Sequence, residues 1–371
     1  MRVYKEGAPL TPQQNEELLE MLPKGTDPER VLFWDIETTG FSRKYDSIYL
    51  MGYFYWEGCR PIIEQHLASS TADELALLES FLQKMDDYEL LVTFNGDAFD
   101  IPFVRERLRV MRIPGELRPF SSLDLYKLYR PYASFFRWDS CKLKALERFL
   151  GIDREDLMDG GELIEVFYEY SRTDNKGLEK MLLLHNYEDI LNLPVLLRIQ
   201  KYMDFLKQET VQSLSLSPDS QEIRLTFAMN RTAPLSISTQ YFVHKKSVPI
   251  HLETDRDDSH ILFGIPVYTG TLRYYLPNYK EYYVLPSGEL LHKSLDTPPV
   301  RRTATREEGC IAKTGEFIAA AQVNLPQGLH PFRAECRNKN LYIELSELTR
   351  WSQNASEENL SALMRSLLPF G

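Results

Sequence analysis

The stretch Val31-Leu32-Phe33-Trp34-Asp35-Ile36-Glu37-Thr38-Thr39-Gly40 carries the pattern from which both the fold and the site are predicted. Its four leading apolar residues are typical of a short buried strand, which Thr-Thr-Gly then ends. Asp35 and Glu37 are two positions apart, so on a strand both carboxylates point to the same face. Two carboxylates this close raise each other's pKa, and a hard divalent cation such as Mg²⁺ removes that repulsion. The alternative is a solvated strand end with two ordinary surface acids.

Length and composition indicate a cytoplasmic protein of two domains. The chain has 371 residues, of which 43% are hydrophobic, and no apolar run is long enough to span a bilayer. Its first residues lack the apolar core of a secretion signal, so we expect a cytoplasmic location and no membrane partner. The four cysteines are far apart in the sequence, which argues against a zinc site or a disulfide framework.

The negative charge lies entirely in the first half of the chain. Residues 1–200 contain 24 Lys and Arg against 35 Asp and Glu, whereas residues 201–371 contain 19 of each. The two halves therefore carry formal charges of −11 and zero. An acidic surface repels nucleic acid at long range, so any phosphate-bearing substrate would need local basic residues or bound metal.

A second acidic motif follows a second strand pattern. Leu90–Phe94 is short and apolar, and it leads into Asn95-Gly96-Asp97-Ala98-Phe99-Asp100 and then a helical pattern up to Met111. Asp100 stands where that helix begins, so its carboxylate either caps the helix or points into a cleft. Strand, loop and helix alternate here, which favours an α/β domain.

A third group of polar residues lies on a predicted helix between Lys180 and Leu193. His185 and Asp189 are one turn apart and share a face, while Leu182, Ile190 and Leu193 face the core. A lone histidine in such a helix is commonly a structural hydrogen-bonding residue.

Together, Asp35-x-Glu37, Asn95-x-x-x-Phe99-Asp100 and His185-x-x-x-Asp189 resemble the three motifs of the DEDD (DnaQ-like) exonuclease superfamily. The segment from Phe94 to Phe103 also resembles the second motif of family B polymerase proofreading domains. The likeness is greatest to bacterial RNase H-like exonucleases of the YprB-like type, and it covers roughly residues 29–200.

The resemblance implies a metal-dependent 3′–5′ exonuclease that acts on DNA or RNA and releases nucleoside 5′-monophosphates. In the family, carboxylates from separate elements hold two divalent cations, Mg²⁺ or Mn²⁺. Carried over by position, Asp35 would bridge both cations, Glu37 and Asp189 would complete one site, and Asp100 would serve the second. The implied partner is single-stranded or 3′-ended nucleic acid. A protein partner of the C-terminal half is not predicted.

His185 departs from the family pattern. One branch of the superfamily has Tyr four residues before the last Asp, and another has His five residues before it. This chain has His at the four-residue spacing, which places the imidazole beside Asp189. We therefore assign His185 the role of orienting or deprotonating the attacking water, with the structural role as the alternative.

Three further residues are assigned to substrate binding: Thr38, Phe41 and Asn95. In the family, the position of Phe41 often carries an apolar side chain that is wedged against the terminal base. Packing in the core is the alternative for Phe41, and ordering of the second motif's loop is the alternative for Asn95.

The predicted fold class is α/β, with an RNase H-like mixed sheet flanked by helices and a smaller, mostly β accessory domain. We expect residues 1–28 to form an N-terminal extension, 29–206 the exonuclease domain and 207–371 the accessory domain. The Ser-rich segment Ser213–Ser220 is predicted to be a linker.

Within the accessory domain, basic and aromatic residues suggest a binding surface, with a packed β core edged by tyrosines as the alternative. These residues are Arg301, Arg302, Arg306, Lys313, Tyr274, Tyr275, Tyr279, Tyr282 and Tyr283.

Three rival functions remain open on the sequence alone, and one of them, a ribonuclease or oligonucleotide-degrading enzyme of the same superfamily, differs only in its substrate. A phosphatase of the haloacid-dehalogenase type also has an acid pair after a strand, but it needs Asp where Glu37 stands. A catalytically degenerate nucleic-acid-binding or scaffold protein would keep the RNase H-like fold without turnover.

Overall fold

The computed structural model describes residues 1–114, 117–156, 158–208, 210–219, 221–233, 236–244, 247–295, 302–321 and 325–369. The chain divides into two compact units. The first contains residues 1–133 and 138–201, and the second contains residues 134–137 and 202–371. Along the described ranges, no helix combines the length and the apolar character needed to cross a membrane.

The first unit is built on a mixed sheet of six strands within the described residues, in the order β1-β4-β3-β2-β5-β6. The pairs β1–β4, β4–β3 and β3–β2 are antiparallel, whereas β2–β5 and β5–β6 are parallel. The strands are β1 (Arg2–Gly7), β2 (Val31–Thr38), β3 (Ile48–Glu57), β4 (Arg60–Leu67), β5 (Leu90–Thr93) and β6 (Ser121–Asp124).

Helices connect and flank these strands. They are α1 (Pro12–Met21), α2 (Glu74–Met85), α3 (Asp100–Val110), α4 (Leu125–Tyr129), α6 (Leu143–Phe149), α7 (Gly160–Thr173) and α8 (Lys176–Asn192). Two further helices, α5 (Ala133–Phe136) and α9 (Arg198–Gln208), begin in the first unit and end in the second.

Alternate residues of β2 serve two separate cores. Leu32 and Trp34 pack in one apolar cluster with side chains of α2, α3 and α7. Val31 and Phe33 pack in a second cluster with side chains of α1, α4 and α6. Because the side chains of a strand alternate, Asp35 and Glu37 continue the face of Val31 and Phe33. Both faces of the sheet are therefore covered, which explains why β2 begins with a continuous apolar run.

The predicted α/β class, the mixed sheet flanked by helices and the further β-rich region are confirmed. Strand β2 begins an antiparallel series with β3 and β4, and β5 lies parallel to β2. The structure adds an element that the sequence analysis does not anticipate. Arg2–Gly7, within the segment expected to be an extension, pairs with β4 as the edge strand of the sheet.

Gly52 lets α8 approach the sheet closely beside Asp35. It lies directly opposite Asp35 in the β2–β3 register. A Cβ atom at this position would stand 2.2 Å from Oδ1 of Asn186 and 2.6 Å from Cγ1 of Ile190. The Asn186 side chain is fixed in this orientation, because its Nδ2 donates to Asp35 and its Oδ1 accepts from Gln65. Only glycine fits this contact without a shift of the helix.

We expect Gly52→Ala to lower the free energy of unfolding by about 1–3 kcal/mol, the usual cost of overpacking a buried contact. Gly160→Ala is the matched control, because a Cβ at Gly160 meets nothing within 4 Å. Urea unfolding followed by circular dichroism measures both variants. Equal stability of the two variants would contradict the close approach of α8.

The second unit is mostly β. Its strands are β7 (Val211–Asp219), β8 (Glu222–Met229), β9 (Ile237–Val243), β10 (Val248–Thr254), β11 (His260–Tyr275), β12 (Tyr282–Val284), β13 (Leu290–His292), β14 (Cys310–Ala320), β15 (Phe332–Arg333) and β16 (Leu341–Glu344). Two helices follow, α10 (Leu345–Ser352) and α11 (Glu357–Leu367).

Strand β11 organises this unit. Its first part pairs with β8 and β10, and its second part pairs with β14 and β15, all antiparallel. The predicted linker at Ser213–Ser220 is wrong for its described part, because Val211–Asp219 pairs along its length with β8. Ser220 lies outside the described residues. Serine at alternate positions suits a strand with one exposed face, which composition alone does not distinguish from a linker.

Candidate metal centre and active site

Strand β2, the start of α3 and the middle of α8 bring four carboxylates together. Glu37, Asp100 and Asp189 are at most 9% exposed, and Asp35 is partly exposed. Atoms of Glu37, His185 and Asp189 that can bind a metal all lie within 4.8 Å of one another. The three sequence motifs therefore meet at one place, as their resemblance to a catalytic set requires.

Asp100 reaches this site from the first residue of α3. The N-cap position belongs to Phe99, and the Asp100 carboxylate instead accepts a hydrogen bond from the backbone N–H of Ile36, at 3.3 Å. Ile36 lies between the two acids of β2. The Asp100 carboxylate thus lies against β2 beside the two acids, and its assignment to the site remains a prediction.

Helix α8 contributes three polar residues to the same face of the site. The Nδ2 atom of Asn186 donates to Oδ2 of Asp35 at 3.0 Å. The Nε2 atom of His185 lies 3.5 Å from Oε1 of Glu37 and 3.6 Å from Oδ2 of Asp189. Since His185 and Asp189 are one helical turn apart, the imidazole and the carboxylate stand side by side.

The other imidazole nitrogen of His185 is held by Asp156. Its Nδ1 atom lies 2.7 Å from Oδ2 of Asp156. Burial would raise the pKa of Asp156, but hydrogen bonds from Lys144 and His185 outweigh it and hold that pKa below its usual value. An ionised carboxylate only accepts hydrogen bonds, so Nδ1 of His185 is assigned as the donor. In the neutral imidazole, Nε2 is then the acceptor that faces Glu37 and Asp189.

Arg154 links the loop that carries Asp156 to α6 and α8. Its guanidinium hydrogen-bonds Glu147 and Glu188, each at 3.1 Å, and forms an ion pair with Oδ1 of Asp189 at 2.5 Å. The Glu188 carboxylate also accepts the backbone N–H groups of residues 155 and 156. The Arg154 side chain is 7% exposed, so these are buried contacts. Arg154 therefore positions both the support of His185 and one oxygen of Asp189.

The ionised forms of Asp35, Glu37 and Asp100 are strongly disfavoured in this site. Burial raises the pKa of Asp35 well above its usual value, and the carboxylates of Asp189, Glu37 and Asp100 raise it further. The pKa of Glu37 is raised in the same way, with Arg154 acting in the opposite direction. Burial also raises the pKa of Asp100, to about 7. Arg154 alone does not compensate this charge.

The donor set fits divalent cations. Carboxylate oxygens are the ligands that Mg²⁺ and Mn²⁺ prefer. The raised pKa values show that the site lacks positive charge, which a bound cation would supply. Asp35, Glu37, Asp100 and Asp189 are the residues available to hold it.

The three residues assigned to substrate binding, Thr38, Phe41 and Asn95, make different contacts. Phe41 is 87% exposed, which excludes core packing, and its ring lies edge-on to Phe99 at 6.3 Å. Asn95 has a positive φ of 66°, and its backbone N–H donates to Asp124, so it orders the loop of the second motif. The hydroxyl of Thr38 donates to the carbonyl oxygen of Gly40 at 2.7 Å. Their assignment to substrate remains a prediction.

Arg154, Asp156 and Asn186 are the site residues that the sequence analysis missed. Two signals point to them in retrospect. Asn186 interrupts the apolar series Leu182–Ile190 at four-residue spacing, and a polar residue at such a position needs a buried partner. Arg154 is the single basic residue in the otherwise acidic loop that follows Gly151. The signal is weak for Asp156, because the loop contains several acids and the sequence does not indicate which carboxylate is buried.

The fold and the carboxylate site define an RNase H-like domain. Residues 32–200 match the family model RNase_H_2 of the RNase_H superfamily. This match confirms the resemblance inferred from the three motifs at the level of the RNase H-like superfamily.

Among curated proteins, the chain is similar to YprB, an uncharacterised protein of Bacillus subtilis strain 168. It is 32% identical over 174 residues, 46% of this chain and 41% of YprB. It is also 28% identical over 169 residues to DNA polymerase 1 of Aeropyrum pernix, covering 44% of this chain and 16% of the polymerase. The chain thus spans less than half the length of either relative.

Among solved structures, the family B DNA polymerase from Pyrobaculum calidifontis aligns over 92% of this chain and 46% of the polymerase, with 11% identity and a TM-score of 0.39.

The metal-free protein should become more stable as the pH falls from 8 to 5. Because the pKa values of Asp35, Glu37 and Asp100 are raised in the folded state, it binds more protons than the unfolded state in this range. Asp35→Asn should raise the melting temperature at pH 8 by about 2–6 °C and flatten the pH dependence.

Thermal melts in EDTA test this expectation. The exposed Asp87 supplies the control variant, Asp87→Asn, which should melt like the wild type at every pH. A melting temperature that rises toward pH 8 in the wild type would refute the burial of like charges.

Proposed function

We propose that this chain is a metal-dependent 3′–5′ exonuclease that hydrolyses phosphodiester bonds of DNA or RNA to nucleoside 5′-monophosphates. The observation that carries the proposal is the convergence of four carboxylates with an imidazole whose Nε2 faces Glu37 and Asp189. The match of residues 32–200 to a model of the RNase_H superfamily supports the nuclease class. The 3′–5′ direction rests on the motif resemblance.

Asp35, Glu37, Asp100 and Asp189 are the residues that would hold two divalent cations, Mg²⁺ or Mn²⁺. Such cations supply positive charge that activates the attacking water and stabilises the leaving oxygen. Asn186 and the backbone N–H of Ile36 orient the carboxylates of Asp35 and Asp100. Oδ1 of Asp189 pairs with Arg154, whereas Oδ2 of Asp189 is directed toward His185.

His185 is the proposed general base. Asp156 holds the Nδ1–H donor, so Nε2 can accept a proton from the attacking water in the space between Glu37 and Asp189. The resulting imidazolium is stabilised by the ionised Asp156. Catalytic triads use the same arrangement, in which a buried carboxylate orients a histidine that acts as the base.

Phe41 is proposed to contact the terminal base of the substrate. An exposed aromatic ring is unfavourable in water, and stacking on a base tolerates any sequence. Its edge contact with Phe99, the neighbour of Asp100, places the ring next to the second motif.

A catalytically degenerate nucleic-acid-binding protein is the second candidate. The ion pair between Arg154 and Asp189 favours it, because a buried guanidinium can substitute for a metal charge. Arg154 also bonds Glu147 and Glu188, however, so its position does not depend on Asp189 alone. Metal-dependent turnover separates the two candidates.

A single-stranded oligonucleotide labelled at its 5′ end should be shortened stepwise from its 3′ end in Mg²⁺ or Mn²⁺, and stay intact in EDTA. Asp35→Asn and Asp189→Asn should each lower the rate on the order of 10³-fold, because each removes a carboxylate that would hold a divalent cation. Denaturing gels follow the shortening, and chromatography identifies the released mononucleotides. Internal cuts, release from the 5′ end or full activity in either variant would refute the proposal.

His185→Ala should lower turnover by about 10²–10⁴-fold, the usual contribution of a general base. Asp156→Asn should lower it by about 10–100-fold, because the carboxylate that orients the imidazole is replaced by a neutral amide. Asp153→Asn, in the same loop but exposed, is the control and should match the wild type. If His185→Ala turns over normally from pH 6 to 8, the histidine is structural.

A further inference from the structure

The second unit contains a cleft whose walls are basic and aromatic. Two adjoining cavities of about 610 and 320 Å³ share Arg306, Arg333 and Cys336 as lining residues. The larger is also lined by Arg337 and Lys339, and the smaller by Tyr275 and Tyr279. We call Tyr275, Tyr279, Arg306, Arg333, Arg337 and Lys339 the basic cleft.

Positive charge in the basic cleft is only weakly balanced. Glu307 also lines the larger cavity, and its carboxylate lies 3.8 Å from Arg337, both side chains being exposed. Among the described residues, no carboxylate lies within 4 Å of the charged groups of Arg306, Arg333 or Lys339. The second half of the chain is neutral overall, so this is a local concentration of charge rather than a general basic surface.

The sheet register adds a further repulsion that an anion would relieve. Arg333 on β15 stands directly opposite Arg273 on β11, so both side chains lie on the same face. Like charges in this arrangement are destabilising. Tyr275 is two residues further along β11 and shares that face, while Leu272 and Phe332 occupy the opposite, buried face. The arginines and the tyrosine are therefore directed away from the core together.

The cleft walls are held in place by contacts of their own. Glu308 accepts hydrogen bonds from the backbone and hydroxyl of Thr305 and ion-pairs with Arg302, which fixes the loop carrying Arg306. Gly309 packs against Tyr279, and a Cβ there would stand 2.2 Å from that side chain. The loop and the ring thus keep a defined separation.

From this geometry we infer that the basic cleft binds single-stranded nucleic acid, with the arginines and lysine on phosphates and Tyr275 and Tyr279 stacked on bases. Basic grooves with interleaved aromatic rings bind single strands in this way. The inference rests on the proposed function for its choice of ligand, and it adds a second place where this chain holds that ligand.

The cleft also revises the basic-aromatic surface suggested by the sequence. Arg306, Tyr275 and Tyr279 belong to it, but Arg302 pairs with Glu308 and Lys313 with Glu344. Arg301 lies outside the described residues. The cleft also includes Arg333, Arg337 and Lys339, from β15 and the segment that follows it.

The test is fluorescence anisotropy of the full chain with a labelled oligothymidylate of about 20 nucleotides, in EDTA so that nothing is cleaved. The double variant Arg306→Glu with Arg333→Glu should bind at least about tenfold more weakly, and the slope of log K against log salt should fall by about 1.4 for two lost phosphate contacts. The control with the same charge change, Arg256→Glu with Arg350→Glu, replaces residues that line neither cavity and should bind like the wild type.

Stacking is tested separately, which also covers a failure of the charge-reversed variant to fold. Tyr279→Ala should weaken binding to the single strand about tenfold, leave binding to the same strand in a duplex unchanged, and be rescued by Tyr279→Phe. Wild-type affinity in both the double variant and Tyr279→Ala, or an equal loss in the control, would overturn the inference. Because no cleavage is measured, lack of nuclease activity leaves this result unaffected.

Discussion

Burial of carboxylates around the end of one strand is the constraint on which the first unit depends. Asp35 and Glu37 lie on the face of β2 that would otherwise be covered by apolar side chains, and burial raises the pKa of both. The surrounding structure offsets only part of this cost. Asn186 reaches Asp35 because Gly52 lets α8 lie close to the sheet, and Arg154 supplies one positive charge. The rest of the charge deficit is what makes the site suited to cations.

The same constraint explains why the site has an outer layer of charged groups. Arg154 joins Glu147, Glu188 and Asp189, and the loop that it anchors carries Asp156 to the imidazole of His185. Buried ion pairs of this kind contribute little net stability, because desolvation cancels most of the attraction. These ion pairs instead fix geometry, because they hold the Asp189 carboxylate and the His185 imidazole in orientations that face each other.

Charge is distributed differently in the two units, and this bears on substrate binding. The first half of the chain has an excess of 11 acidic residues, whereas the second half is neutral and gathers basic residues in one cleft. Long-range repulsion from the acidic half would slow association with a polyanion. A basic cleft with aromatic walls supplies local attraction at short range, where screening by salt is weaker.

The sequence alone determined the elements whose signals are local. Apolar runs and periodicity placed β2, β5, α3 and α8, and the two-residue and four-residue spacings placed Asp35 beside Glu37 and His185 beside Asp189. Only the tertiary structure decided which further residues serve the site. Arg154, Asp156, Asn186 and Gly52 act on partners far away in the sequence, and neither spacing nor residue type specifies a contact between distant segments. The serine-rich strand β7 was misassigned for the same reason, since pairing with β8 makes it a strand.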